Sequence, residues 1–264
     1  MVAPLRGNAA ASRAAVHTLP WMTMNMSMSN TDLLTPYTAR WYTAAEARAL
    51  PPAGPTFSGT YTVALHGGSA LELPLRVLPG GDKAIALLMS NQTPFAVEDA
   101  LAPLVTAAAA SLQPEVIAAV PTMGLDYARL VARGLGLADY VALGHSRKFW
   151  YDEALSEAAT SSTSTQGKRV YLDLALVARV RGKRVVLVDD VINTGVSALS
   201  AVRLLERAGA EVVGLTVLLS EGHAWRAVVN ELGAGWDQRV RAVGHIPMFE
   251  AAGDGRWQPM AGTL

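Results

Sequence analysis

The 264-residue sequence contains no cysteine, which excludes disulfide bonds, thiolate zinc sites and a cysteine nucleophile. It also has no excess of either charge, because 22 basic residues balance 22 acidic ones. Proteins that bind nucleic acid or anionic lipid through a broad electrostatic field carry a clear excess of positive charge. The balance therefore favours a small-molecule partner and argues against nucleic acid and membranes.

Long hydrophobic runs are missing as well. The most apolar stretches, such as residues 185–188 and 212–219, have the length of a strand, whereas a membrane-spanning helix needs about 18 apolar residues or more. Hydrophobic residues nevertheless make up 51% of the chain, which is enough for the core of one large domain or two small ones. We therefore expect a globular protein that does not span a membrane.

The first 31 residues lack acidic side chains and are rich in alanine, serine, threonine and methionine. An acid-poor segment with Arg6 and Arg13 is compatible with an organellar transit peptide, and also with a disordered tail ahead of a later start methionine. We favour the tail and expect a cytoplasmic protein, with an organelle as the alternative. The Pro/Gly-rich stretch 51–55 disfavours packed secondary structure, so residues 1–55 are predicted to be largely disordered.

Strand and helix patterns alternate from residue 97 onward. Helical patterns cover residues 97–112, 125–135 and 196–207, and apolar strand patterns cover residues 116–120, 140–143, 184–188 and 212–219. This alternation predicts an α/β fold with a doubly wound, mainly parallel sheet flanked by helices. Ligands of such sheets bind beyond the carboxyl ends of the strands.

A hairpin is predicted ahead of this region, formed by residues 60–65 and 71–77 around a Gly-Gly turn. Its second strand contains Pro74, which has no N–H for a ladder hydrogen bond. We therefore expect that strand to lie at the edge of its sheet.

Two acids, Asp189 and Asp190, directly follow the apolar strand that ends at Val188. Burying unpaired carboxylates is costly, so packing does not explain them, whereas sugar hydroxyls donate well to carboxylates. The alternatives are a solvated strand end and the phosphoacceptor pocket of response-regulator receivers. Receivers place their acids elsewhere and lack a Thr-Gly directly after them, so we favour binding of ribose hydroxyls.

The residues after the acid pair predict an anion site. Asn193-Thr194-Gly195 permits a tight turn, and Val196 and Ser197 open a helix. Backbone N–H groups at the helix start and the hydroxyls of Thr194 and Ser197 then converge on one small volume, which suits a phosphate. Acids for a ribose and a loop for a phosphate together indicate a ribose 5-phosphate.

This succession of apolar strand, two acids, Thr-Gly and a further hydroxyl residue resembles the signature of the type I phosphoribosyltransferases, with the motif order of the adenine and xanthine enzymes. The resemblance covers roughly residues 112–226. It implies one domain at residues 56–264, with a core at about 95–232 and a small cap from about 56–90 and 237–264.

The resemblance also implies roles for particular residues. The catalytic pair is Asp189 and Asp190, which hold the ribose hydroxyls. The other donor-binding residues are Val191, Ile192, Asn193, Thr194, Gly195, Val196 and Ser197 for the 5-phosphate, and Thr122, Met123, Gly124, Arg147 and Lys148 for the pyrophosphate. From the residues alone, the loop at 122–124 is explained equally well as Pro/Gly punctuation. The alternative for the basic pair is an ordinary surface pair, and only its order relative to the strand motif favours pyrophosphate binding.

A polar, low-complexity segment at residues 157–167 follows the basic pair and is longer than an ordinary connection. It is either a lid or a disordered insert, and the resemblance implies a lid over residues 151–168 that excludes water from the donor. Phe149, Trp150 and Tyr151 precede it. They either stack on a base or pack the loop onto the core.

The resemblance implies a glycosyltransferase that moves the 5-phosphoribosyl group from phosphoribosyl pyrophosphate to a nitrogen acceptor, most simply a purine base in purine salvage. Mg²⁺ enters with the donor, because phosphates chelate it and few protein ligands are needed. The five histidines are scattered and predict no metal site of their own. A homodimer is expected. The alternative is a non-catalytic regulator that uses the same loop to bind phosphoribosyl pyrophosphate or a nucleotide.

Overall fold

The computed structural model describes residues 37–159 and 169–264, and Tyr37–Leu264 form one compact unit. Its strands are β1 (Arg40–Tyr42), β2 (Thr60–Ala64), β3 (Ala70–Val77), β4 (Lys83–Ala86), β5 (Val116–Ala119), β6 (Val141–Ala142), β7 (Ser156–Ala158), β8 (Arg169–Tyr171), β9 (Arg184–Ile192), β10 (Glu211–Glu221), β11 (Val240–Ile246), β12 (Phe249–Gly253) and β13 (Arg256–Pro259). Its α-helices are α1 (Ala44–Ala49), α2 (Phe95–Ala110), α3 (Gly124–Gly134), α4 (Val177–Val180), α5 (Val196–Arg207) and α6 (Ala224–Val229). None of these helices is long and apolar enough to cross a bilayer.

A five-stranded parallel sheet lies at the centre of the fold, in the order β11-β10-β9-β5-β6. From β5 the chain runs through α3 to β6 on one side, whereas from β9 it runs through α5 to β10 and then to β11 on the other. The winding direction therefore reverses between β5 and β9, which is the switch point where such sheets bind ligands. The predicted doubly wound α/β fold is confirmed.

Helices pack on both faces of this sheet, so its strands are apolar on both sides, as is usual for parallel sheets. On one face, Leu101 of α2 and Val131 of α3 belong to a core cluster with Val186 of β9. On the other face, Val202 of α5 belongs to a second cluster with Leu187. Helices therefore pack against both faces of β9, and its carboxyl end emerges from the core of the protein.

A second, antiparallel sheet combines strands from both ends of the described chain. Its path is β1-β3-β4-β12-β13, and β2 also pairs with β3. The buried Phe249 of β12 meets Phe57 and Tyr61 edge to face, at ring-centroid distances of 6.0 and 5.0 Å. This sheet is the cap that the sequence predicts from the hairpin and the C-terminal segment.

The prediction that the Pro74 strand lies at a sheet edge is wrong. β3 pairs with β2 along one side, and with β1 and then β4 along the other. Pro74 falls where the β1 partner has ended and β4 begins, and only its carbonyl is used there, accepting the Leu87 N–H at 2.9 Å. The missing proline N–H therefore costs little in an interior strand at this position.

The prediction that residues 1–55 are largely disordered is wrong for the segment that forms β1 and α1. Thr43 and Glu46 form a capping box at the start of α1, with each side chain accepting the other residue's backbone N–H. β1 adds to the cap sheet by pairing with β3, for example Arg40 with Glu72. The Thr-x-x-Glu pattern is a helix-start signal that was present in the sequence. Residues 1–36, including the acid-poor segment, lie outside the described residues.

Candidate functional site

The acid pair lies at the switch point of the parallel sheet. The pairing of β5 with β9 ends at Ala119 opposite Val188, so Asp189 is the first residue of β9 beyond the end of β5. On its other side β9 still pairs with β10 as far as Ile192. The strand is therefore four residues longer than the apolar run predicts, and the acids are open only on the side that faces the switch point.

The two carboxyls are held close to the backbone rather than pointing freely into water. The Asp190 N–H donates to Asp189 Oδ1 at 3.0 Å, and the Val191 N–H donates to Asp190 Oδ1 at 2.8 Å. Burial raises the pKa of both carboxyls above the usual range, and the Asp190 charge raises the pKa of Asp189 further. Among the described residues no cation forms an ion pair with either acid. Burying these carboxylates without a cation is energetically costly, and hydrogen bonds from ligand hydroxyls would reduce that cost. A ribose carries such hydroxyls.

A small cavity follows the acid pair, at the start of α5. Gly195 has a φ of +82°, and a Cβ there would lie 3.0 Å from the backbone oxygen of Trp225, so the turn requires glycine. The cavity has a volume of about 130 Å³ and is lined by Asp189, Val191, Ile192, Asn193, Thr194, Gly195, Ser197, Ala198 and Leu215. Since the first N–H groups of a helix have no intrahelical partner, they are available to an anion here. The cavity thus has the position and the donors that a phosphate needs.

The loop at residues 121–124 lies directly against the acid pair. A Cβ on Gly124 would lie 2.5 Å from the Val188 carbonyl oxygen and 3.0 Å from Asp189 Oδ1. The Val120 N–H donates to the same Val188 carbonyl at 3.0 Å, and the Pro121–Thr122 peptide bond is cis. This close approach brings the predicted loop Thr122–Gly124 beside Asp189, and only glycine allows it.

Two residues that the sequence did not single out support this loop. Ser90 is buried and its hydroxyl donates to the Met123 carbonyl at 2.8 Å. The neighbouring Met89 N–H donates to the Tyr37 hydroxyl at 3.1 Å, which ties the first described residue to the same turn. Ser90 and Tyr37 are far from the loop in sequence and belong to no motif, so no sequence signal marks them.

The predicted basic pair is not in contact with the acids in this structure. Arg147 and Lys148 lie in the exposed loop after β6, and Arg147 Nε pairs with Glu153 Oε2 at 3.3 Å. Between the described residues, no hydrogen bond or ion pair joins either basic side chain to Asp189, Asp190 or the 122–124 loop. The structure therefore places the basic pair after β6, the strand next to β5, where it does not contact the acids or the 122–124 loop.

The three aromatic residues after the basic pair largely fix the loop to the body of the protein. Tyr151 stacks on Tyr171 with ring centroids 5.6 Å apart, and Trp150 Nε1–H donates to Asp173 Oδ2 at 2.9 Å. Phe149, in contrast, is 97% exposed. Of the predicted lid, residues 160–168 lie outside the described residues, and its flanks β7 and β8 pair as a short antiparallel ribbon.

One further acid contacts Asn193, which lines the cavity at the start of α5, and the sequence interpretation missed it. Glu221 ends β10, and its Oε2 accepts a hydrogen bond from Asn193 Nδ2 at 2.6 Å. The residue is 5% exposed, and this burial raises the pKa of Glu221 to about 7. Glu221 could have been found from the sequence, because it is an acid just after the apolar strand pattern that ends at Leu219, and that strand lies next to β9.

The fold and this geometry define a doubly wound α/β protein with a small cavity at a helix start and two carboxylates at its switch point. Residues 89–234, more than half of the 264, match the family model of the phosphoribosyl transferase domain. The chain therefore belongs to the phosphoribosyltransferase family, and the predicted resemblance to the type I enzymes is confirmed.

Individual relatives match part of the chain. The orotate phosphoribosyltransferase of Staphylococcus aureus is 32% identical over 109 residues, which are 41% of this chain and 43% of that protein. The adenine phosphoribosyltransferase of Thermobifida fusca is 37% identical over 108 residues, covering 41% of this chain and 58% of that protein. The chain thus spans about half the length of the curated relatives that it matches.

A solved structure extends the likeness of fold beyond this region. The structure of the adenine phosphoribosyltransferase of Giardia lamblia, complexed with 9-deazaadenine, matches with a TM-score of 0.50 and 20% identity. The match covers 76% of this chain and 97% of that one. At this identity it supports the shared fold alone.

Proposed function

We propose that this protein is a phosphoribosyltransferase that transfers the 5-phosphoribosyl group from phosphoribosyl pyrophosphate to a ring nitrogen of a base and releases pyrophosphate. The observation that carries the proposal is the contact of Gly124 with Val188 and Asp189. This contact brings the 122–124 loop, the acid pair and the phosphate cavity together at one switch point. One substrate with a phosphate, two hydroxyls and a pyrophosphate on a single ribose fits all three.

The proposed roles follow from the charge of each group. Asp189 and Asp190 accept hydrogen bonds from the ribose hydroxyls, and residues 191–197 hold the 5-phosphate. The bond from C1 to the pyrophosphate oxygen breaks with its electron pair, the acceptor nitrogen forms a bond to C1, and the proton on that nitrogen is lost. Positive charge develops on the ribose ring meanwhile, and the nearby carboxylates stabilise it electrostatically.

The loop Thr122–Gly124 is proposed to contact the leaving pyrophosphate, together with Arg147 and Lys148 after a movement of their loop. Arg147 is bound to Glu153 in the structure, but both side chains are more than half exposed, at 65% and 54%, so their pair is weak. A bound pyrophosphate carries several charges and competes well for the guanidinium. Closure of this loop would complete the site and exclude water.

Magnesium is proposed to enter with the donor. No group of three or more histidines, aspartates and glutamates in residues 37–159 and 169–264 is arranged to hold a metal ion. The acid pair nevertheless suits Mg²⁺, a hard cation that takes one or two carboxylates and fills its other positions with phosphate oxygens and water. When bound, the ion neutralises charge on the pyrophosphate as it leaves.

A purine base is the proposed acceptor. The order of basic pair, lid segment and phosphate loop follows the adenine and xanthine enzymes. The relatives include an adenine enzyme, at 37% identity, and an orotate enzyme, at 32%, so the proposal of a purine depends on the motif order. A homodimer in the cytoplasm and a role in purine salvage stay predictions from the sequence.

The test is pyrophosphate release from the donor and Mg²⁺ against a panel of purines and pyrimidines. The variant is Asp189→Asn/Asp190→Asn, and the matched control is Asp254→Asn in the exposed turn between β12 and β13. We expect release that requires one class of base, is lost in the double variant and is kept in the control. Binding of the donor without release for any base would instead support the regulator alternative, and no binding of the donor would refute both.

A further inference from the structure

Glu221 contacts Asn193, a residue that lines the phosphate cavity, and one of its two carboxyl oxygens has no hydrogen-bond partner among the described residues. Its neighbour Ser220 pairs with Ile192, the residue before Asn193 in the loop. Glu221 Oε2 accepts from Asn193 Nδ2 at 2.6 Å, while Oε1 is buried and has no hydrogen-bond partner in the described part of the chain. The carboxyl is therefore tied to the protein chiefly through a residue of the loop.

In residues 37–159 and 169–264, no cation compensates the charge of Glu221. The charged and titratable side chains on the surrounding elements are Asp189 and Asp190 of β9, His223 before α6, Arg226 of α6 and His245 of β11. The rings of His223 and His245 stack 5.0 Å apart, and each forms a hydrogen bond with a backbone oxygen, His223 with Leu264 and His245 with Thr263. Arg226 forms an ion pair with Asp237. Among the described residues, none of these groups forms a hydrogen bond or an ion pair with Glu221. Burial without a cation raises the pKa of Glu221 to about 7, although the Asn193 hydrogen bond opposes the rise.

We propose that Glu221 is a positioning residue, which orients the 5-phosphate loop through Asn193 and takes up a proton when a phosphate occupies the loop. The inference rests on the proposed function, because it assumes that the cavity holds the 5-phosphate of the donor. Asn193 lines that cavity, so the phosphate charge would lie close to the Glu221 carboxylate. Like charges in a site of low dielectric favour protonation of the weaker acid. The neutral carboxyl still accepts the Asn193 hydrogen bond through its carbonyl oxygen.

Linkage then makes the affinity for the donor depend on pH. Above about pH 7 the empty protein has released the Glu221 proton, and it must regain that proton to bind. While the occupied state stays protonated, the dissociation constant rises up to about tenfold for each pH unit above about pH 7, which gives about a tenfold rise between about pH 6 and about pH 8. The phosphates of the donor also titrate in this range, but they do so with every variant and cancel in a comparison.

Three variants separate orientation from charge. Glu221→Gln keeps a carbonyl oxygen for Asn193 and cannot ionise, so its donor affinity should equal that of the wild type near pH 6 and be about tenfold higher than that of the wild type near pH 8. Glu221→Ala and Asn193→Ala remove the contact, so each should weaken donor binding at both pH values while kcat changes much less. The matched control is Glu211→Gln, an exposed acid at the other end of β10.

The experiment is calorimetric titration of phosphoribosyl pyrophosphate with Mg²⁺ into each variant at the two pH values, after circular dichroism and thermal melting show that each is folded. The expected result is a loss of affinity between the two pH values that is about tenfold larger in the wild type and Glu211→Gln than in Glu221→Gln. Parallel pH profiles for the wild type and Glu221→Gln would overturn the role of Glu221 while leaving the proposed function intact. A wild type that binds no donor at either pH would overturn both.

Discussion

Gly124→Ala tests the contact on which the site depends. The added Cβ would lie 2.5 Å from the Val188 carbonyl oxygen and 2.9 Å from Asp189 Cα, and both of these atoms belong to a central strand that cannot move aside. Carbon atoms pack at about 3.5 to 4.0 Å. The start of α3 and the 122–124 loop must therefore move away from the acid pair by about 1 Å.

The size of the effect follows from two opposing terms. Forcing a methyl group into a packed contact costs about 1 to 3 kcal/mol, and the better helix propensity of alanine offsets up to about 1 kcal/mol. We expect the free energy of unfolding to fall by about 1 to 2 kcal/mol, which leaves the protein folded. A shift of about 1 Å in a positioning loop lowers kcat/KM by up to about 100-fold.

The assay is pyrophosphate release under steady-state conditions, with urea denaturation to measure the free energy of unfolding. The control is Gly54→Ala, where the nearest atom to the added Cβ, the Thr56 oxygen, is 3.9 Å away. We expect the control to behave as the wild type. A Gly124→Ala protein with unchanged kcat/KM and a higher free energy of unfolding would refute the reasoning, because only the helix propensity would then have changed.

Two further predictions concern charge. Arg147→Ala/Lys148→Ala should raise the KM for the donor about tenfold, because charge-assisted hydrogen bonds to the pyrophosphate are lost, whereas Lys183→Ala at the other end of the sheet should leave steady-state kinetics unchanged. Burial raises the pKa of Glu221 from 4.5 to about 7, so the folded state holds this proton more tightly than the unfolded chain does. Its contribution to the free energy of unfolding is complete below about pH 4.5 and falls by about 3 kcal/mol as the pH rises to about 7. Urea denaturation across this range should show a loss about 3 kcal/mol larger in the wild type and Glu211→Gln than in Glu221→Gln, and identical losses in all three would contradict the assignment.

Features encoded within a short stretch of sequence were predictable. The strand, the acid pair and the turn at Gly195 fall within residues 184–197, and their order identified the family that the domain match confirms. The start of α5 at Val196 was predictable because a glycine turn directly precedes an apolar helical pattern. The alternation of strands and helices likewise predicted the doubly wound sheet and its binding edge.

Features that depend on the register between distant segments were not predictable. Nothing in the sequence near Gly124 shows that it packs on Asp189, and nothing near Asn193 shows that it meets Glu221, because each contact depends on how neighbouring parallel strands align. Pro74 shows how a local rule fails, since the change of partner from β1 to β4 makes an interior position tolerable. The basic pair was identified by its order in the chain, and the structure does not bring it to the acids.

The most direct test of the central claim is a comparison of ribose 5-phosphate with 2-deoxyribose 5-phosphate, titrated into the wild type and Asp189→Asn/Asp190→Asn. We expect the wild type to bind the ribose compound about tenfold more tightly, because a hydrogen bond from the 2-hydroxyl to a carboxylate is lost in the deoxy compound. In the double variant the preference should shrink or disappear, while both ligands still bind through the phosphate loop. An equal preference for ribose in both proteins would contradict the claim that this acid pair holds the sugar.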